Sequence, residues 1–203
     1  MGRQVVFDLG GRKDLETYVP AIRQMIQDHV PGLRTSSDVV EILHQGGVSP
    51  ESLEAVILSH SHPDHAGSPQ TLPQSVKLVV GPGFKQHFVP GYPSNPSSVF
   101  NESDFEGREI IEIQFTENTK IGPIEAFDYF GDGSLQIMNL PGHAVGHIGA
   151  LFRTTYDSFT FLAGDACHTP AVLRPSKGIP MPAVIPDTCI FDHHIERPCL
   201  SDE

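Results

Sequence analysis

The sequence predicts an α/β (α+β) fold in which two sheets pack face to face with helices on the outside. Three observations carry that prediction. Short apolar runs of strand type alternate with stretches of helical periodicity between Val5 and Val80. From Glu109 onward the pattern changes to strand pairs joined by turn residues, the mark of antiparallel hairpins. Several of these strands also end directly in histidine or aspartate, which gathers chemically useful side chains on the loops.

With 203 residues, 38% hydrophobic and 19% charged, the chain is expected to form one domain, residues 1–203, with a real core. A net charge of −12 opposes binding to phosphate backbones, so no nucleic-acid partner is expected. Cys167, Cys189 and Cys199 are odd in number and scattered, which fits neither a disulfide framework nor a zinc finger. They point to a reducing, cytoplasmic location. No apolar run approaches the roughly 20 residues that cross a bilayer. Met1-Gly2-Arg3-Gln4 leads straight into a strand rather than a signal peptide, and Val6 stands where myristoylation wants Ser or Thr. No membrane partner is expected, and the oligomeric state is left open.

Val5 to Leu9 reads as a strand ended by Gly10-Gly11. Ile22, Met25, Ile26 and Val30 recur at helical spacing behind Pro20, which is tolerated near a helix start. Asp38 with Glu41 resembles a capping box ahead of Val39, Val40, Ile42 and Leu43, and Gly46-Gly47 closes that helix. Ser49-Pro50 opens a short helical turn, followed by the buried strand Ala55-Val56-Ile57-Leu58 and, later, the strand Val76 to Val80. Pro90 to Ser98 is rich in Pro, Ser and Asn and reads as a surface loop overhanging a site. Glu109 to Phe115 alternates as a half-buried strand. Ile124–Phe130 with Leu135–Leu140, and Ile148–Phe152 with Phe159–Ala163, form two hairpins. Residues 170–203 form a Pro-rich, irregular tail.

The chain is organised around His60-Ser61-His62-Pro63-Asp64-His65, directly after the buried strand and before Ala66-Gly67. Imidazole and carboxylate donors at this density suit zinc or a similar divalent ion. In an extended segment His60, His62 and Asp64 would face the same way, with His65 turned aside. A polar histidine-rich loop is the plain alternative. Two further strand ends, Leu140-Pro141-Gly142-His143 and Phe161-Leu162-Ala163-Gly164-Asp165, offer a histidine and a carboxylate, each weak alone because strands often end in polar residues.

Together, HxHxDH at His60 to His65, PGH at Pro141 to His143 and GD at Gly164-Asp165 resemble the metallo-beta-lactamase superfamily. Phe7-Asp8-Leu9-Gly10 is similar to that family's early strand and turn, and the wording around His60 is nearest its lactonase-like branch and fungal members. The resemblance implies an αββα sandwich of two mixed sheets with outer helices. It implies that His60, His62 and His143 hold one metal, that Asp64 and His65 help hold a second, and that Asp165 bridges them. The family's further histidine beyond the bridging Asp has no plain counterpart; His193 or His194 is a candidate, and a solvated pair is the preferred reading. No hairpin precedes Val5, so the expectation is a sandwich incomplete at both ends.

The implied chemistry is zinc-dependent hydrolysis, with two ions per chain or one if the second site is incomplete; manganese and iron are alternatives. A metal lowers the pKa of bound water to about 7, and the resulting hydroxide attacks a carbonyl. The expected substrate is a small lactone or a related cyclic ester or amide. A thioesterase like glyoxalase II, or a lactamase, is the enzymatic alternative, and a truncated, inactive metal-binding or interaction domain is the alternative of another class. Asp64 would orient the water, and His168, where the lactonase branch often has Tyr, would polarise the substrate. His147 could orient a ligand, though a buried, hydrogen-bonded histidine is the favoured reading. Asp8 is either a partner of a ligand or a turn-capping residue. His29, His44 and His87 are expected at the surface, and Cys167 as a packing residue. Phe84, Phe88, Tyr92 and Phe100 would wall a pocket or join the core.

Overall fold

Residues 2–116 and 119–168 are described by a computed structural model of the chain. The tail from 170, with Cys189, Cys199, His193 and His194, lies outside the described residues. The chain divides into two compact units, Met1–Gln114 and Phe115–Glu203.

In the first unit, β1 (Val5–Phe7) is followed by α1 (Pro20–His29), α2 (Val39–Gln45), β2 (Ala55–Ile57) and the single turn α3 (Pro63–Ala66). Then come β3 (Lys77–Val80), α4 (Phe84–Phe88) and β4 (Ile110–Glu112). The strands lie in the order β1-β2-β3-β4, all parallel, with Phe7 beside Ile57 and Ile57 beside Val79. Parallel neighbours require crossovers, which the helices supply. β2 lies between two other strands, and its three residues are fully buried, as a continuous apolar run in a parallel sheet should be. The Asp38 carboxylate accepts from the Glu41 backbone N–H and so caps α2 as its sequence indicates.

In the second unit β5 (Lys120–Ile121), β6 (Ile124–Asp128), β7 (Leu135–Asn139), β8 (Ile148–Arg153) and β9 (Phe159–Leu162) form an antiparallel meander in chain order. The Asp128 carboxylate accepts from Gly131 and Gly133 N–H groups and fixes the first hairpin turn. The fold class is borne out: helices and two sheets. Each sheet is uniform in sense rather than mixed, because helices join the first set of strands and tight turns the second. Among the described residues, no helix is long and apolar enough to cross a membrane.

Of the two readings open for the aromatics, the core one holds for Phe84, Phe88 and Phe100, which are buried in the first unit with Leu58, Leu78 and Val80. Gly83, left-handed at φ +83°, starts α4 and puts Phe84 and Phe88 one turn apart on one face. Their rings meet that of Phe100 at 5.1 and 5.7 Å. Tyr92 is half-buried, and Pro90 to Ser98 is largely exposed.

Candidate metal centre

In the first unit the candidate residues stand at the carboxyl ends of two adjacent parallel strands, where open α/β sheets bind ligands. The register of β1 against β2 continues one step beyond the strands, with Asp8 N–H donating to Ile57 O at 2.9 Å. Asp8 then turns left-handed, φ +61°, the sole non-glycine to do so among the described residues. Asp is one of the few side chains that tolerates this conformation. Its carboxylate accepts from Ser59 N–H at 2.6 Å, Ser59 Oγ at 2.8 Å and His65 Nδ1 at 2.8 Å.

These bonds set the imidazole tautomers. A carboxylate only accepts, so Nδ1 of His65 carries the proton and Nε2 keeps its lone pair. Ser59 gives its single hydroxyl hydrogen to Asp8, so its oxygen accepts from Nδ1 of His60 at 2.9 Å. That leaves Nε2 of His60 with a lone pair as well. It lies 2.9 Å from Nδ1 of His62. Two nitrogens on one tetrahedral zinc, each at 2.0–2.1 Å, would be about 3.3 Å apart. Imidazoles held through their outer N–H, with the inner nitrogen unprotonated, are the arrangement a divalent ion requires. The donor set fits such an ion.

The backbone approach behind this cluster is close. Gly67, at φ +52°, lies so near Leu9 that an added Cβ would stand 2.4 Å from the Leu9 Cβ. Leu9 N–H donates to His65 O at 2.8 Å. Only glycine lets the chain leave α3 against β1's end in this way.

The extended reading of the hexapeptide holds for His60 to His62 and fails afterwards. Pro63, with φ fixed near its helical value, starts α3, and His62 becomes the residue ahead of it. Asp64 therefore leaves the row of histidines. Its side chain is 75% exposed, with Oδ2 3.9 Å from Nε2 of His65. Asp64 and His65 remain neighbours, by helical rather than extended geometry.

In the second unit, antiparallel pairing brings the β7–β8 loop and the segment after β9 to the same end of the sheet. His143 lies on the first and Asp165 on the second. Nε2 of His143 is 3.4 Å from Oδ2 of Asp165, and Nε2 of His168 is 3.0 Å from the same oxygen. His143 and His168 meet ring edge to face at 5.1 Å. His168 is on the surface, 62% exposed at its side chain. His29, His44 and His87 are exposed as expected, and Cys167 is half-buried.

Ser59 belongs to none of the sequence motifs; its one sequence signal is a hydroxyl directly after the apolar run Ala55-Val56-Ile57-Leu58, and the structure buries it fully. His147 is buried and hydrogen-bonded, in line with the favoured reading, and it also touches the Asp165 backbone.

The model of the family described as the metallo-beta-lactamase superfamily matches residues 31–194. The chain is 45% identical over 185 residues to gamma-lactamase MBL2 of Gibberella moniliformis, across 89% of this chain and 77% of that protein. It is 46% identical over 190 residues to cytochrome P450 monooxygenase mpaDE of Penicillium roqueforti, across 89% of this chain and 22% of that protein. It thus spans less than a quarter of the length of the latter relative. A solved structure of an N-acyl homoserine lactone hydrolase, with N-hexanoyl-L-homoserine at its catalytic metal centre, shares the fold at a TM-score of 0.60. The sequences are 19% identical, with 84% of this chain and 62% of that one covered.

Proposed function

Because the chain belongs to the metallo-beta-lactamase superfamily, we propose that it hydrolyses a small cyclic amide or ester, a lactam or lactone, at a divalent metal centre. The observation that carries this reading is the Asp8–Ser59 network, which places the protons of His60 and His65 on their outer nitrogens and so leaves the lone pairs on the inner ones. The gamma-lactamase relative supports the cyclic amide as the first substrate to try.

In this reading His60, His62 and His143 would hold one ion, Asp64 and His65 would contribute to a second, and Asp165 would be shared between the two. Zinc is the first choice for a set of imidazole and carboxylate donors, with manganese and iron as alternatives. When bound, the ion lowers the pKa of water to near 7 and polarises a carbonyl. Asp64, far more exposed than Asp8 or Asp165, is the carboxylate available to orient an incoming water. His168, on the surface with Nε2 3.0 Å from the Asp165 carboxylate, is in this reading the group that polarises a substrate oxygen.

The test is metal analysis of protein purified without chelator, and hydrolysis of a panel of γ-lactams, lactones and thioesters with added zinc, manganese or iron. The expected result is turnover of a lactam or lactone with about two ions per chain. Fewer than one ion and no turnover across the panel would leave the inactive interaction domain as the better account.

Asp8→Asn separates the network from the backbone. Asparagine also tolerates the left-handed conformation, so the turn survives. Its NH2 group, however, faces groups that donate to Asp8 in the native protein. His65 must then turn its Nδ1 lone pair toward Asn and place its proton on Nε2, where it blocks a ligand bond. Affinity for zinc is expected to fall about 10–100-fold in a chelator competition. Native affinity in this variant would show that the tautomers are set elsewhere.

A further inference from the structure

His147 is 1% exposed, and both of its nitrogens are hydrogen-bonded. Nδ1 lies 2.8 Å from the Leu140 carbonyl, which only accepts, so the proton is on Nδ1. Nε2 lies 3.0 Å from the backbone N of Asp165, which only donates, so Nε2 holds the lone pair. Leu140 N–H in turn donates to the His147 carbonyl at 3.2 Å, closing the loop at its base. One imidazole in one tautomer therefore ties the end of β7 to the segment after β9. His143 projects from the loop so closed, and its ring meets that of His147 edge to face at 5.5 Å. Asp165 hangs from the other end of the same connection.

We propose that His147 is the positioning residue that sets the backbone at Asp165, and so the carboxylate, against His143. It touches neither substrate nor ion; it acts through the Asp165 N–H. The inference rests on the functional reading above only for its consequence, metal binding by Asp165. Its geometric content belongs to the protein without metal.

Two conservative variants divide the bonds. In His147→Gln the side-chain carbonyl can stand where Nε2 stands and accept from Asp165, while the donor to Leu140 is lost. In His147→Asn the side-chain amide can stand where Nδ1 stands and donate to Leu140, while the acceptor for Asp165 is lost. Hydrogen exchange at the Asp165 amide, read by NMR on the full chain without metal, is expected to be slow in the native protein and His147→Gln. It is expected to be fast in His147→Asn. Cobalt affinity by chelator competition should fall about 10–100-fold in His147→Asn and stay within about threefold of native in His147→Gln. The d–d spectrum should change only in the former. Slow exchange in His147→Asn, or equal losses of cobalt in both variants, would overturn the proposal. A native protein that takes up no cobalt would sink the functional reading instead, and the exchange data would still decide the role of His147.

Discussion

Replacing His62 with alanine is expected to remove metal binding and hydrolysis together while leaving the metal-free fold in place. The choice of His62 over His60 follows from burial. His60 is 1% exposed, and its truncation would open a cavity beside the core and release the Ser59 hydroxyl. His62 is half-buried, and its side chain caps nothing at the start of α3; the turn is held by His65 N–H and Ala66 N–H donating to the His62 carbonyl. Alanine keeps that carbonyl. The change also removes the contact of His62 Nδ1 with Nε2 of His60, so the metal-free protein should lose about 1 kcal/mol, the worth of one hydrogen bond, while still folding. On the proposed role of His62 the metal would lose a ligand rather than an outer partner, so affinity should fall by more than the roughly 100-fold that marks the upper end for outer-shell losses. Turnover should fall at least as far. Metal content and activity that survive the change would end the assignment of this hexapeptide as the metal-holding stretch.

Much of the fold was legible because its elements are regular over enough residues. The buried run before His60, the periodicity of α1, the capped start of α2 and the hairpin turns each carry a local signal that the tertiary structure respects. The short helices were harder. α4 is five residues long, below the span over which periodicity can be counted, and sits ahead of a Pro- and Ser-rich stretch that reads as loop. α3 had a signal, since Pro63 follows His62 directly and favours the first position of a helix. The alternation of His60, His62 and Asp64 points the other way, to an extended segment.

The ligand candidates were legible as residue types at strand ends, whereas their tautomers were not. Asp8 reaches Ser59 and His65 across 51 and 57 positions of sequence, and only the register of β1 on β2 brings them together. Its left-handed backbone is likewise invisible in the sequence, because Asp permits that conformation without demanding it. The same holds for His147. Its spacing from His143 suggested a supporting role, but its bond to Asp165 depends on the pairing of β8 with β9.

The largest expected effect on stability lies away from the proposed metal ligands. Arg12 and Asp104 form an ion pair at 2.6 Å with side chains 2% and 0% exposed. Arg12 also donates to Thr17 O at 2.8 Å, and Asp104 accepts from Asn101 N–H at 2.8 Å, so the pair joins the loop after β1 to the segment before β4. Tyr18 extends it: its hydroxyl accepts from Arg12 N–H and donates to Pro63 O, at the first residue of α3. Asp104→Ala strands a buried guanidinium, and breaking such a pair from one side costs about 3–5 kcal/mol. Removing both charges is a different matter. Arg12 Nε and Asp104 Oδ1 lack hydrogen-bond partners among the described residues, so the pair does not recover all of its desolvation. Arg12→Met combined with Asp104→Leu is therefore expected to be more stable than Asp104→Leu alone, with a coupling energy of about 2 kcal/mol or more in the double-mutant cycle by urea unfolding. Burial pushes the Asp104 carboxyl above its ordinary range, and Arg12 draws it part of the way back. Because the folded state holds that proton more tightly than the unfolded chain, the contribution of this group is greatest at low pH and lessens as pH rises through the raised value. The penalty for Asp104→Ala should accordingly shrink as pH rises across that interval. A penalty under about 1 kcal/mol, or one that grows with pH there, would show that Arg12 finds compensation elsewhere once its partner is gone.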